Sequence, residues 1–293
     1  MEALAHNIFF EAAFEGVNVG VIQTQEGIIA IDAPSYPKQA RDWVLQLNAV
    51  HHKSIKNLIL TDYNGDRILN SRWFNSPIIA HSETARTLSS YDRRYPTAML
   101  ESLIARQPEL GRPLTTSPVE KVTFSFSDDL CLYKGQYAIQ LIAMPGPTKG
   151  NVWVHIPEER VLFVGDTLST SIPPLILDGN SAHWISSLQI LKEWQNKVDV
   201  IVPGRGSLET GSAIEAHCRC LELMQQRMTR VIEEERPFAE VAMYISEFIE
   251  RYPNHNMPLA WMRQQIHKTL NHIYHEIKFA KDGIVMRIEN EFE

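Results

Sequence analysis

The first part of the chain alternates short apolar runs with one amphipathic stretch. Apolar runs at residues 17–24 and 28–33 flank a polar turn and predict two neighbouring strands. Residues 38–50 place apolar side chains at helical spacing, and apolar runs at 57–61 and 76–81 return to the strand pattern. This order predicts a sheet packed against helices.

A second strand-rich region lies at residues 121–164, where five apolar runs are separated by polar turns. Residues 184–195 form an amphipathic pattern that predicts a helix, and residues 198–206 predict one more strand that ends in a glycine-rich turn. The intervening residues 83–118 are predicted to be helical or irregular, because prolines interrupt them.

The pattern changes after residue 210 and becomes helical. Three helices are predicted, at residues 213–236, 237–250 and 258–280, with prolines near their starts. We therefore predict a first domain at 1–210 and a C-terminal helical extension at 211–293.

Composition narrows the class of protein without identifying it. A hydrophobic fraction of 44% supports a sizeable core, and a net charge of −7 argues against nucleic-acid binding, which needs clustered cations. Three cysteines, an odd number, suggest no disulfide framework and favour a reducing, cytoplasmic location. The chain shows no apolar run long enough to span a membrane and no basic leader, so neither a membrane partner nor a signal peptide is predicted.

Four polar turns that follow apolar strands carry the candidate chemistry. In chain order they read TDYNGDR (61–67), MPGPTKGN (144–151), VGDT (164–167) and VPGRG (202–206). Strands that end in such turns commonly deliver catalytic or metal-binding groups to one edge of a sheet.

These turns, in this order and spacing, resemble the motifs of the metallo-β-lactamase superfamily. The first family motif, Thr-His-x-His-x-Asp-His, is matched in frame by Thr61-Asp62-Tyr63-Asn64-Gly65-Asp66-Arg67. The resemblance extends over residues 7–210. It implies a four-layer αββα sandwich with the site at one sheet edge, and the helical tail is loosely similar to the extension of some hydrolases of that family.

The resemblance also implies a dinuclear zinc site of five histidines and two aspartates, and this chain departs from it. Both aspartates are present, as Asp66 and Asp166, but every histidine position holds another residue: Asp62, Asn64, Pro147, Arg67 and Arg205. Proline has no side-chain ligand atom, and an arginine offers only donors and keeps its positive charge. The sequence therefore predicts no metal and no other cofactor; if any metal is bound, the ligands are Asp62, Asp66 and Asp166, which suit a hard dication.

Arginines in place of metal ligands predict a different arrangement of charge. An isolated buried carboxylate is costly, and a bidentate guanidinium removes that cost. We therefore expect Arg67 and Arg205 to form an internal network with Asp62, Asp66 and Asp166. This favours a catalytically degenerate protein with a binding or interaction role over a metallohydrolase of the family type. The alternative is a divergent hydrolase of the ester, thioester, lactam or phosphoester class that uses the same three aspartates with a hard dication or without metal.

Ligand binding is expected near the same turns. The candidates are Asp62, Asn64, Asp66, Arg67, Asp166, Arg205 and His183. Arg67 and Arg205 could hold a small anion, whereas Asp62 and Asn64 are also typical turn residues that bond neighbouring backbone. Tyr63 and Lys149 are predicted to be surface residues. The C-terminal helices are a candidate surface for homo-oligomer formation.

Overall fold

A computed structural model describes residues 1–208, 211–253 and 256–281 of the chain. These residues contain two β-sheets. The first sheet has the order β1-β2-β3-β4-β5-β6-β7, with strands Glu2–Ala5 (β1), Ile8–Glu11 (β2), Val19–Gln23 (β3), Ile28–Ile31 (β4), Ile55–Ile59 (β5), Ile78–His81 (β6) and Phe124–Phe126 (β7). The second has the order β12-β11-β10-β9-β8, with strands Asp129–Lys134 (β8), Tyr137–Ala143 (β9), Val152–Ile156 (β10), Val161–Phe163 (β11) and Val200–Val202 (β12).

The helices fall into two groups. Those that follow strands of the first sheet are Pro37–His51 (α1), Gly65–Ile68 (α2), Ser82–Ser90 (α3), Thr97–Arg106 (α4) and Pro108–Gly111 (α5). Those that follow strands of the second sheet are Ser181–Trp194 (α6), between β11 and β12, and Gly211–Glu233 (α7), Ile245–Glu250 (α8) and Leu259–Lys281 (α9), after β12. None of these helices combines the length and the apolar character that a membrane span requires.

The alternation of side chains along β4 explains the layering. Ile28 and Ala30 belong to the core beneath the helices of the first sheet, together with Trp43 of α1. Ile29 and Ile31 point to the opposite face and belong to the core between the two sheets. Because β4 is buried on both faces, it reads in the sequence as a continuous apolar run.

The outer face of the second sheet is covered by the later helices. Trp153 of β10 lies in one hydrophobic cluster with Leu188 of α6, Met224 of α7 and Leu270 of α9. The predicted four-layer αββα sandwich with a helical extension is confirmed. The same cluster joins both predicted domains, so the extension shares a core with the second sheet. The predicted boundary at residue 210 and the last part of the extension, residues 282–293, lie outside the described residues.

Two local features differ from the sequence-based predictions. The first strands, β1 and β2, were not predicted; they form a hairpin whose turn places Asn7 at φ 61°, a conformation that asparagine tolerates. The stretch predicted as one helix at 237–250 is a 3₁₀ helix at Phe238–Tyr244 followed by α8. The remaining strands and helices lie where the hydrophobic pattern placed them.

Candidate functional site

The carboxyl ends of four strands meet at one edge and carry the candidate site. β4 and β5 are parallel neighbours in the first sheet, and β11 and β12 are parallel neighbours in the second. Asp32 follows β4, the TDYNGDR turn follows β5, Asp166 follows β11 and Arg205 follows β12. The order of strands therefore brings together side chains that are distant in sequence.

The TDYNGDR turn is stabilised by its own side chains. Asp62 Oδ1 accepts a hydrogen bond of 2.7 Å from the Asn64 N–H, and Asn64 Oδ1 accepts one of 3.3 Å from the Asp66 N–H. Asn64 is thereby the N-cap of α2. The predicted bonding of Asp62 and Asn64 to neighbouring backbone is confirmed, and it fixes the direction in which Asp66 and Arg67 point.

Arg67 lies at the centre of the site with its side chain fully buried. One terminal nitrogen donates to Asp32 Oδ2 at 2.9 Å and to Thr61 Oγ1 at 2.8 Å. Nε forms an ion pair with Asp62 Oδ1 at 3.1 Å, and the other terminal nitrogen forms one with Asp166 Oδ1 at 2.5 Å. Three carboxylates therefore surround one guanidinium.

Arg205 provides the second centre of positive charge. It grips Asp166 with two hydrogen bonds, Nε to Oδ1 at 3.1 Å and a terminal nitrogen to Oδ2 at 2.7 Å. Its other terminal nitrogen lies 2.8 Å from Asp66 Oδ2. A Cβ atom at Gly204 would lie 2.5 Å from Asp166 Oδ1, so only glycine permits this approach of the two turns.

A third arginine, Arg106 at the end of α4, was not anticipated. One of its terminal nitrogens lies 2.5 Å from Asp66 Oδ1, and its Nε lies 3.2 Å from Glu15 Oε1. Nε also donates to the Tyr36 hydroxyl at 3.1 Å. The ring of Trp261 in α9 lies 5.6 Å from the guanidinium carbon. Arg106 therefore connects the C-terminal helices to the site, and no motif in the sequence marks it.

The buried core of the cluster contains one more negative than positive charge. Four aspartates face three arginines: Asp32, Asp62, Asp66, Asp166, Arg67, Arg106 and Arg205. Hereafter we call these seven residues the Arg–Asp network. Burial alone raises the pKa of Asp166, but Arg205 and Arg67 outweigh burial and bring it to about 2. Burial also raises the pKa of Asp66, but Arg106 and Arg205 have the larger effect, so the pKa of Asp66 is lowered overall.

The excess negative charge affects mainly Asp62 and Asp32, whose pKa values are raised. Burial raises the pKa of Asp62 to about 7, against the opposing effect of Arg67. Burial likewise raises the pKa of Asp32, again opposed by Arg67. Asp62 Oδ2 has no hydrogen-bond partner among the described residues. The raised pKa values of these two carboxyl groups favour protonation on this side of the network, and protonation of one of them offsets the fourth negative charge.

The other predicted site residues are placed as follows. Asn64 reaches the network, with Nδ2 at 3.3 Å from Asp166 Oδ2. His183 does not reach it; this exposed residue lies in the first turn of α6. Tyr63 was predicted at the surface, and this is wrong. Its side chain is 2% exposed and its hydroxyl donates to Asp178, because the turn folds inward beneath the loop that carries Asp178.

The position of a metal-binding histidine in the family is closed by backbone. Pro147 is buried, and its carbonyl oxygen accepts hydrogen bonds from the N–H groups of Leu177 and Gly179, at 2.9 Å and 3.0 Å. A Cβ atom at Gly179 would lie 2.0 Å from the carbonyl oxygen of Gly146, so the two segments are in direct contact.

These residues do not fit a dinuclear zinc centre. Nitrogen–oxygen contacts of 2.5 Å to 3.1 Å between Arg67 and its carboxylates leave no volume for a cation between them. The guanidiniums offer only donors, which repel a cation. Within the described residues, no group of three or more histidine, cysteine, aspartate or glutamate side chains is arranged to hold a metal ion.

The comparisons with known proteins agree with this fold. The family model of the metallo-beta-lactamase superfamily matches residues 12–205, so the chain belongs to this superfamily. It is a divergent member that lacks the metal-binding histidines. No curated protein matches the chain by sequence.

Solved structures of two kinds are similar to the chain. A metallo-beta-lactamase from Pontibacter korlensis covers 75% of this chain and 97% of its own, with 14% identity and a TM-score of 0.57. The stereoselective inverting sec-alkylsulfatase Pisa1 from Pseudomonas sp. covers 93% of this chain, with 13% identity and a TM-score of 0.70. This chain spans 49% of the alkylsulfatase. At these identities the likeness shows the fold alone, and with the alkylsulfatase it includes the helical extension.

Proposed function

We propose that this protein is a catalytically degenerate member of the superfamily with a binding or interaction role. In this proposal the Arg–Asp network replaces the dinuclear metal centre, and the fold serves as a scaffold for recognition. No cofactor takes part. A cytoplasmic location and self-association through the C-terminal helices belong to the same proposal.

The environment of Arg67 carries this proposal. Its guanidinium is fully buried and lies in direct contact with Asp32, Asp62 and Asp166, at 2.9 Å, 3.1 Å and 2.5 Å. A metallohydrolase needs an open coordination position for water at this place. An arginine with three carboxylate partners leaves neither the metal nor the water a position there.

Binding of a small anion at Arg67 and Arg205 remains a prediction, and such binding would require the anion to break an existing ion pair. The Arg205 side chain is 5% exposed and holds Asp166 in a bidentate pair. An external anion would have to displace a carboxylate that is already desolvated and paired. This consideration favours a ligand site elsewhere on the same scaffold.

A panel of hydrolase substrates tests the proposal. The purified protein is assayed with esters, thioesters, lactams, phosphoesters and alkyl sulfates, with zinc, manganese or magnesium added separately. We expect no turnover above background under any of these conditions. Metal-dependent turnover that disappears in Asp166→Asn and persists in the exposed control Asp199→Asn would support the alternative, a divergent hydrolase, and overturn the proposal.

A further inference from the structure

A large groove lies beside the Arg–Asp network. Its volume is about 1260 Å³, and its walls are the turn between β9 and β10, the start of α6, and the facing sides of α7 and α9. No member of the Arg–Asp network lines the groove. The volume is sufficient for a drug-sized ligand. The groove is therefore a separate space from the position of the family's metal centre.

The groove is lined mainly by apolar surface, to which several side chains contribute: Met144, Pro145, Ala182, Ile277, Phe279 and Ala280. The acidic side chains in its walls are already engaged. Glu276 accepts hydrogen bonds from the N–H and the hydroxyl of Ser181, at 2.9 Å and 2.7 Å. Asp178 accepts from the Tyr63 hydroxyl and, at 3.3 Å, from the Lys149 N–H.

The ammonium group of Lys149 forms no ion pair with the described residues, and Glu83 acts on it only at longer range. Lys149 is exposed, and none of the described acids lies within ion-pair distance of its Nζ atom. Glu276 and Asp178 accept hydrogen bonds from residues of the groove wall, and neither of them contacts the ammonium group of Lys149 directly. An apolar space with one unpaired cation is complementary to an apolar molecule with one anionic group.

A buried hydroxyl group beside Lys149 is a second, independent observation that points to a ligand. Thr148 and Asn151 line the groove and are 0% and 1% exposed. Thr148 Oγ1 and Asn151 Oδ1 have no hydrogen-bond partner within the described part of the chain. Buried polar groups are normally paired, so the unpaired Thr148 hydroxyl is expected where a ligand supplies an acceptor. Asn151 Oδ1 is itself an acceptor, and an ionised carboxylate does not satisfy it. A hydroxyl donor at Thr148 suits a carboxylate oxygen, as does the ammonium of Lys149.

We propose that this groove binds an amphiphilic carboxylate. The apolar body lies against Met144, Ile277 and Phe279, and the carboxylate head lies at the Lys149–Thr148 end. This site rests on the groove and not on the loss of the metal centre, so it stands even if the network proves to have catalytic activity. In this proposal the anionic group is bound by the accessible Lys149 and not by the buried Arg67 and Arg205.

Calorimetric titration with decanoate, kept below its micellar concentration, tests the site. We expect saturable binding of one decanoate per chain, and binding of the uncharged 1-decanol that is weaker by about tenfold or more. Lys149→Met is expected to weaken decanoate binding by a similar factor, while the control Lys38→Met, an exposed lysine on α1, leaves it unchanged.

A second variant separates groove binding from adsorption at other surfaces. Ala182 is exposed at the start of α6, so Ala182→Trp fills the groove without entering the core. We expect this variant to fold with an unchanged far-ultraviolet circular dichroism spectrum and to lose decanoate binding. Absence of saturable binding in the wild type, binding that survives Ala182→Trp, or equal affinity for decanoate and 1-decanol would each overturn the proposal.

Discussion

The Arg–Asp network and the groove beside it use charge in opposite ways. In the network, each buried guanidinium is in contact with carboxylates of the protein, so its donors already have partners and are not available to a ligand. In the groove, the exposed Lys149 ammonium has no acid within ion-pair distance among the described residues, and the surrounding surface is mostly apolar. The difference teaches that the position of the family's metal centre need not be the part of this fold where charged groups remain available to a ligand. A cluster of charges marks a ligand site only where some of them remain unsatisfied.

The strongest way to break this comparison is to remove the central cation. Arg67→Met leaves Asp32, Asp62 and Asp166 buried without their shared partner, and we expect a loss of about 3–5 kcal/mol in the free energy of unfolding. Denaturant unfolding measures it. The matched control is Arg160→Met, which removes an exposed ion pair with Asp199 and should cost less than about 1 kcal/mol. Equal losses in the two variants would show that the buried network stabilises the fold no more than an exposed ion pair does.

The second prediction concerns pH and Asp62. The folded-state pKa of Asp62, about 7, is raised above its unfolded value, so the folded protein binds the proton more tightly. Its contribution is fully present below the unfolded pKa and is lost as the pH rises through about 7. We therefore expect the free energy of unfolding of the wild type to fall by on the order of 3 kcal/mol between about pH 5 and about pH 8. The variant Asp62→Asn lacks the titrating group and should not show this fall.

Measuring denaturant unfolding of both proteins across this range checks the sign as well as the size. Asp166 provides the internal contrast, because its lowered pKa of about 2 contributes stability that is lost only as the pH falls toward that value. An Asp62→Asn variant whose stability still declines in parallel with the wild type would contradict the assignment of the proton to Asp62.

The smallest predicted effect tests the connection between the network and the helical extension. Ser102 Oγ accepts a hydrogen bond of 3.0 Å from Trp261 Nε1, which holds the indole beside Arg106. Ser102→Ala should lower the free energy of unfolding by about 1 kcal/mol. Ser90→Ala, which removes a hydrogen bond to backbone at an exposed helix end, is the control and should have a smaller effect. A larger loss in Ser90→Ala would contradict the role given to Trp261.

How far the site could be predicted depended on where each residue stands in the sequence. Asp66, Arg67, Asp166 and Arg205 occupy motif positions of the superfamily, so the resemblance predicted that they would converge. Arg106 comes from a helix outside every motif, and its role arises from the way α4 packs against the site. Periodicity predicts that such a helix exists but does not predict which charged residue at its end turns inward.

Asp32 and Tyr63 show two further limits. Asp32 ends an apolar strand and looks like an ordinary turn residue, yet it adopts φ 57° and pairs with Arg67. Tyr63 stands between polar neighbours, which favours exposure, yet the contact with Asp178 buries it. Both outcomes depend on partners more than twenty residues away, which local pattern does not report. The individual strands and helices were predictable because their periodicity is local, whereas the four-layer sandwich was implied by the resemblance to the superfamily.

The metal content of the purified protein tests the central claim most directly. The protein is incubated with excess zinc, then with manganese, dialysed, and measured by inductively coupled plasma mass spectrometry beside the variant Asp66→Asn. The account predicts far less than one equivalent of either metal per chain, with no difference between the wild type and the variant. One or more equivalents bound by the wild type and lost in Asp66→Asn would contradict it.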